Sequence, residues 1–181
     1  MKILETVAAA LDALGTPFAL IGGRAVIARG YIRATLDYDF LSPDRRILDA
    51  ASWSALAASG VRVDRRRGAF DDPVAGVARL TFPGGEKADV LLAQWNWEAA
   101  VIERAEPIVM EGRTIRVPRT GDLILLKLAA GGVMDLQDAT ILLRHGGREQ
   151  LIADVERYLP DLDRDAHGAW ERVKADSALP R

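Results

Sequence analysis

Residues 21–41, IGGRAVIARGYIRATLDYDFL, constrain this chain more than any other stretch. An apolar run (Phe18, Ala19, Leu20, Ile21) meets Gly22-Gly23, then a brief helical stretch that Gly30 can close, then a strand carrying Asp37 and Asp39. Side chains two apart on a strand point the same way, so the two aspartates share one face and Tyr38 and Phe40 take the other. At about 3.3 Å per residue their Cα atoms lie roughly 6.5 Å apart. Two carboxylates that close repel unless one is protonated or a cation sits between them. Beside a glycine turn able to approach phosphate, the economical cation is Mg²⁺.

The 181 residues suffice for a real core, and 49% apolar with 28% charged residues reads as globular. The absence of cysteine excludes a disulfide framework and a thiolate nucleophile. The amino terminus has a superficial likeness to a signal peptide, but Glu5 and Asp12 interrupt it and a folded helix explains it better. No stretch approaches the roughly 18 apolar residues of a membrane span, and the expectation is a cytoplasmic protein without a membrane partner. A net charge of −2 does not advertise nucleic-acid binding, although Arg65, Arg66 and Arg67 form a dense cationic run that reads as a solvated strand end.

Apolar spacing predicts an amphipathic helix over 2–14, ended by Gly15. Pro43 suits the first turn of a helix over 44–58, which Gly60 ends. Val61 and Val63 suggest a strand running into the arginines, 68–73 a loop, and 74–82 and 87–93 strands joined through Pro83-Gly84-Gly85. On the last strand Lys87, Asp89 and Leu91 share a face. Asp89 is a charge in an otherwise apolar strand centre and needs a partner, an arginine or a cation. A short helix over 95–102 and a hairpin of 107–110 with 114–117 follow. Beyond Pro118 the pattern turns helical: Thr120 is a candidate cap for 121–130, and further helices cover 136–143, 149–158 and 162–173. The fold class is therefore α+β, a mixed sheet with flanking helices over 1–118 and a helical carboxy-terminal lobe over 119–181.

Three carboxylates on neighbouring strands beside a glycine turn suit metal-assisted phosphoryl or nucleotidyl transfer, because Mg²⁺ prefers oxygen ligands and completes its shell with water and phosphate. Backbone N–H groups near Gly23 can take phosphate. In order and spacing, Gly22-Gly23, Asp37-x-Asp39 and Asp89 resemble the nucleotidyltransferase superfamily that includes DNA polymerase β. More narrowly, the GG-x-A turn and Arg33-x-Thr35-x-Asp37-x-Asp39 are similar to the AbiEii-type branch, in which a helical lysine precedes a D-x-x-D-like segment, as Lys127 precedes Asp135 and Asp138.

The resemblance implies Asp37, Asp39 and Asp89 as catalytic metal ligands, and Gly22, Gly23, Arg24, Arg33 and Lys127 as the nucleotide site. It implies an NTP donor, a tRNA end or a protein as acceptor, and a cognate antitoxin as partner. Two other readings stand beside it: an aminoglycoside-type transferase, which needs an acidic acceptor cleft, and a non-catalytic binding module that keeps the fold. Many active members carry Gly-Ser where this chain has Gly23-Arg24, so phosphate contact falls to backbone N–H groups and Arg24.

Lys127 is the only charge in LILLKLAAGGVM, at 123–134; it either neutralises phosphate or snorkels from a helix edge. Asp135 and Asp138 form a capping-box-like pair or belong to the site. Trp95 and Trp97 stack on a base or pack under the sheet. His145 and His167 lie far from the acidic motifs and read as structural.

Overall fold

Apolar residues at helical spacing in one element and at strand spacing in the next give two faces that must meet. Helix α1 (Ile3–Ala13) buries Leu4, Val7 and Leu11, and Gly15, at φ +62°, turns the chain into β1 (Ala19–Ile21). Helix α2 (Gly22–Ala28) follows at once, and β2 (Tyr38–Ser42) returns antiparallel to β1. Then come α3 (Ser54–Ala58), β3 (Arg62–Arg67), β4 (Gly76–Thr81) and β5 (Lys87–Leu92), the last parallel to β2. The five strands form one mixed sheet in the order β1-β2-β5-β4-β3. This computed structural model describes residues 2–68 and 75–178; most of the expected 68–73 loop and Val74, the start of the expected 74–82 strand, lie outside the described residues.

Register decides which side of the sheet carries the chemistry. Phe40, Val90 and Ala78 are successive cross-strand neighbours, all fully buried, and belong to the core cluster that contains α1 and Trp53. Phe40 and Val90 each contribute about 1.5–3 kcal/mol by leaving water. The opposite face is covered only at one end, where Leu41, Ile21 and Leu91 pack with Ile102 of α4 (Asn96–Arg104) and Leu126 of α5 (Thr120–Ala130). The other end of that face, where Asp39 and Asp89 lie, is open.

The hairpin β6 (Glu106–Met110) and β7 (Arg113–Val117) turns through Glu111 and Gly112, both at positive φ. Arg29 ties the end of α2 to it, donating to the carbonyls of Val117 and Pro118 at 2.9 and 2.7 Å and pairing with Glu106 at 3.0 Å. The carboxy-terminal lobe is helical: α5, α6 (Val133–His145), α7 (Arg148–Tyr158) and α8 (Arg164–Ala178), with α5 packed against the other three. No helix among the described residues is long and apolar enough to cross a membrane.

Three local expectations are corrected. The continuous helix over 44–58 is instead two 3₁₀ turns (Arg45–Leu48, Ala50–Trp53) and α3. Asp49 is extended, the Asp44 carboxylate accepts from the Arg46 N–H at 2.8 Å, and the buried Trp53 indole donates to the Ile47 carbonyl at 2.6 Å, so tertiary burial overrides helix propensity. Thr120 does not cap α5: the helix starts at Thr120 itself, with the Arg119 carbonyl accepting from the Leu123 N–H at 2.8 Å. Nor do Asp135 and Asp138 form a capping box, because Gly132 is the N-cap of α6.

Asp122, in the first turn of α5, is 5% exposed and accepts from Arg104 at 2.5 Å, while that guanidinium lies 4.2 Å from the centre of the Tyr158 ring. One ion pair thus joins α4, α5 and α7. Asp122→Ala strands a partly buried guanidinium and is expected to cost about 2 kcal/mol in urea denaturation; a loss below about 0.5 kcal/mol would show that the joint carries no stability.

Candidate active site

The site forms where β1 ends and α2 begins. Gly22 has φ +64°, and a Cβ there would lie inside the Asp39 carboxylate; at Gly23 it would run into the Arg33 guanidinium and Thr35. Gly22 is therefore required by close approach and by its backbone conformation, whereas a Cβ at Gly23 would displace the Arg33 guanidinium. The 31–37 segment alternates: Arg33 and Thr35 turn toward the glycines, whereas Ile32 and Leu36 stand in solvent. It delivers Asp37 immediately before β2 and Asp39 as the second residue of that strand.

A cavity of about 310 Å³ opens here. Gly22, Gly23, Arg33, Thr35, Asp37 and Asp39 line one side, and Leu123, Leu126, Lys127 and Asp135 from the helical lobe line the other. Lys127 is buried, with Nζ 2.7 Å from Asp135 and 2.8 Å from Asp138, and Arg33 reaches Asp138 at 3.2 Å. The snorkelling alternative for Lys127 is thereby removed. Asp138 is 2% exposed and anchors both cations, while the more exposed Asp135 faces the cavity.

Burial, reinforced by the negative charges of Asp89 and Asp37, pushes the Asp39 carboxyl from 3.8 up to about 6, while Lys127 and Arg33 pull it down. The ionised form of Asp39 is thus disfavoured, first by burial and then by the like charge of its neighbours.

Asp89 faces Asp39 in register on the adjacent parallel strand, so both project from the same sheet face. Its carboxylate, however, is held by Arg79 of β4 at 2.9 and 2.6 Å and does not line the cavity. The partner that this strand-centre charge demands is therefore an arginine. Sequence reading missed Arg79; the signal was its place on one strand face with Val77 and Thr81, alternating with the buried Ala78 and Leu80. Arg24 is also turned away: it lies 4.2 Å from the centre of the Tyr38 ring and reaches Glu111 at 3.3 Å. Trp97 packs against the core, Trp95 is 56% exposed, and His145 lies against Tyr31.

Among the described residues no group of three or more His, Cys, Asp or Glu side chains is placed to hold a metal ion. Asp37 and Asp39 nevertheless suit a hard divalent cation: their oxygens are the right donors, the disfavoured charge on Asp39 is the kind such an ion relieves, and Mg²⁺ sites often use only one or two carboxylates with water and phosphate. The residues present fit the ion, with Asp89 as a third carboxylate in another partnership.

No protein-family model matches the sequence, and no curated protein matches it. Among solved structures, the solution structure of the antibiotic-resistance factor ANT(2″)-Ia is similar at a TM-score of 0.60 with 20% identity, covering 95% of each chain. The crystal structure of ANT(2″)-Ia in complex with adenylyl-2″-tobramycin gives 0.59 and 19%, covering 88% of this chain and 96% of that one. The lincomycin-bound lincosamide antibiotic adenylyltransferase LnuA gives 0.51 and 14%, covering 77% and 93%. The chain has the polymerase-β-like nucleotidyltransferase fold. Within that nucleotidyltransferase fold, the glycine turn and Asp37-x-Asp39 occupy one cavity with Lys127.

Two outcomes test this electrostatic picture. A carboxyl raised in the folded state keeps its proton longer than in the unfolded chain, so its contribution to stability falls as pH rises from about 4 to about 6. In metal-free buffer the melting temperature of Asp39→Asn is expected to gain on wild type between those values, by the equivalent of roughly 2 kcal/mol; a pH-independent difference would refute the strained carboxyl. Lys127→Ala should destabilise by about 2–3 kcal/mol, and by at least about 1 kcal/mol less in an Asp138→Asn background, because the stranded buried charge has gone. Strict additivity in urea denaturation would mean that the two side chains do not interact.

Proposed function

We propose that this protein is an Mg²⁺-dependent nucleotidyltransferase that moves an NMP from an NTP to a hydroxyl of a small, cation-bearing acceptor of the aminoglycoside type. The observation that carries the reading is the cavity itself: a glycine turn, Asp37 and Asp39 on one wall and Lys127 on the other. Its volume of about 310 Å³ suits a small ligand, and its charged lining comprises Asp37, Asp39 and Asp135 against Arg33 and Lys127. That lining carries one carboxylate more than it has cations, which gives a polyanionic acceptor no added attraction beside an ion-bound donor. Likeness to ANT(2″)-Ia over 95% of both chains supports the same reading.

In the reaction the acceptor oxygen forms a bond to the α-phosphorus, the bond from that phosphorus to the pyrophosphate oxygen breaks, and the hydroxyl proton is lost to solvent. Asp37 and Asp39 would hold the ion, which supplies charge neutralisation at the phosphates. Backbone N–H groups at the start of α2 orient the phosphates at the Gly22-Gly23 turn. Lys127 adds positive charge from the helical lobe, its ammonium held at the cavity by Asp135 and Asp138. Arg24, engaged with Glu111 and Tyr38, orders the wall rather than reaching the donor.

The test is incubation with each labelled NTP, Mg²⁺ and a panel of aminoglycosides, total tRNA and cell protein. Label is expected on an aminoglycoside, with Asp39→Asn lowering single-turnover transfer roughly a hundredfold or more. Label on tRNA or protein would instead support the toxin-like acceptors and antitoxin partner of the AbiEii branch. No transfer to any acceptor, with NTP still bound, would favour a non-catalytic module.

A further inference from the structure

The third carboxylate sits where the sheet register presents it to the chemistry, yet another side chain holds it. Asp64 of β3, Arg79 of β4, Asp89 of β5 and Asp39 of β2 are successive in-register neighbours across four strands. They form one row of side chains on the open face, Arg79 between two carboxylates and Asp89 between Arg79 and Asp39. Arg79 grips Asp89 with two hydrogen bonds, at 2.9 and 2.6 Å. Its side chain is 53% exposed, so the pair exchanges at little cost, unlike the buried contacts of Lys127. Asp64 on the far side pairs, among the described residues, with Arg62 at 3.1 Å, both side chains largely exposed, and offers the guanidinium a second partner.

We propose that Arg79 is an exchangeable clamp on Asp89: it neutralises the carboxylate in the metal-free protein and releases it to a divalent cation held by Asp37 and Asp39. The inference rests on the metal-site reading given above and adds a positioning residue to it. The clamp answers a conflict built into the fold. Parallel pairing of β2 with β5 forces Asp39 and Asp89 together, and without a counter-charge their repulsion would weigh on the apo protein. A permanent counter-charge would withhold Asp89 from the site. An exposed arginine with a second carboxylate within reach satisfies both states, because opening the pair leaves neither charge stranded in an apolar interior.

The experiment is Mn²⁺ titration followed by electron paramagnetic resonance, without nucleotide, on the full chain and its variants. Arg79→Gln is expected to bind Mn²⁺ about two- to fivefold tighter than wild type, the size of effect an exposed ion pair exerts. Arg79→Lys, which keeps the charge but loses the forked grip, should also bind tighter, by a smaller factor. Both gains should vanish in an Asp89→Asn background, and Asp39→Asn should abolish binding in the wild-type context. Unchanged affinity in Arg79→Gln overturns the clamp. So does a gain that Arg79→Lys does not share or that survives Asp89→Asn, since either marks a general effect of removing positive charge. Mn²⁺ binding that is absent, or indifferent to Asp39→Asn, defeats the metal-site reading and the clamp together; Asp39-dependent binding that ignores Arg79 defeats the clamp alone.

Discussion

Parallel pairing of β2 with β5 puts Asp39 and Asp89 side by side, with strands about 4.8 Å apart, and carboxylates that close need counter-charge. The surroundings are arranged to supply it unequally. Arg79 answers Asp89 directly, whereas Lys127 and Arg33 answer Asp39 only at a distance and are themselves engaged by Asp138. Burial first, and then the like charges of Asp89 and Asp37, push the Asp39 carboxyl up to about 6 inside a cavity. A strongly perturbed group in a cleft is a candidate for a functional site.

The same charges join the two parts of the molecule. Arg33 comes from the segment before β2, Lys127 from α5 and Asp138 from α6, and their meeting sets the wall of the cavity opposite the glycine turn. On the other side of the turn, Arg29 fastens α2 to the carbonyls where β7 leads into the helical lobe. The turn is thus held from both sides through contacts with segments far from it in sequence, and the glycines allow Asp39, Arg33 and Thr35 to close onto it.

Much of this was legible in the residues. Period-two alternation placed Asp37 and Asp39 together and put Lys87, Asp89 and Leu91 on one face, because the pleat leaves strand side chains no choice. The glycine pair announced a close approach, and apolar spacing found the helices to within a few residues. Contacts made in space rather than along the chain were not legible. A continuous helix over 44–58 looked sound until Trp53 turned inward onto Ile47. Asp135 and Asp138 read as a cap or as part of the site because nothing along the chain fixes where Lys127 reaches, and the Tyr38 and Glu111 that engage Arg24 stand beside it only in the folded protein. The need of Asp89 for a partner was readable; that Arg79 meets it followed only from the register of β4.

The two edges of the sheet carry a consequence for how copies of this chain behave toward one another. A sheet edge is a row of unpaired amides and carbonyls, a template on which a second chain can continue hydrogen bonding. Here one edge, β1, has three residues, too few to register a foreign strand, and β7 packs against it. The other edge, β3, reads RVDRRR, four arginines to one aspartate, so an identical strand brings a net charge of the same sign whichever way it runs. The arginine run therefore reads as an edge guard: it keeps nascent or crowded molecules from zipping edge to edge while the open face between the two edges stays accessible to small ligands.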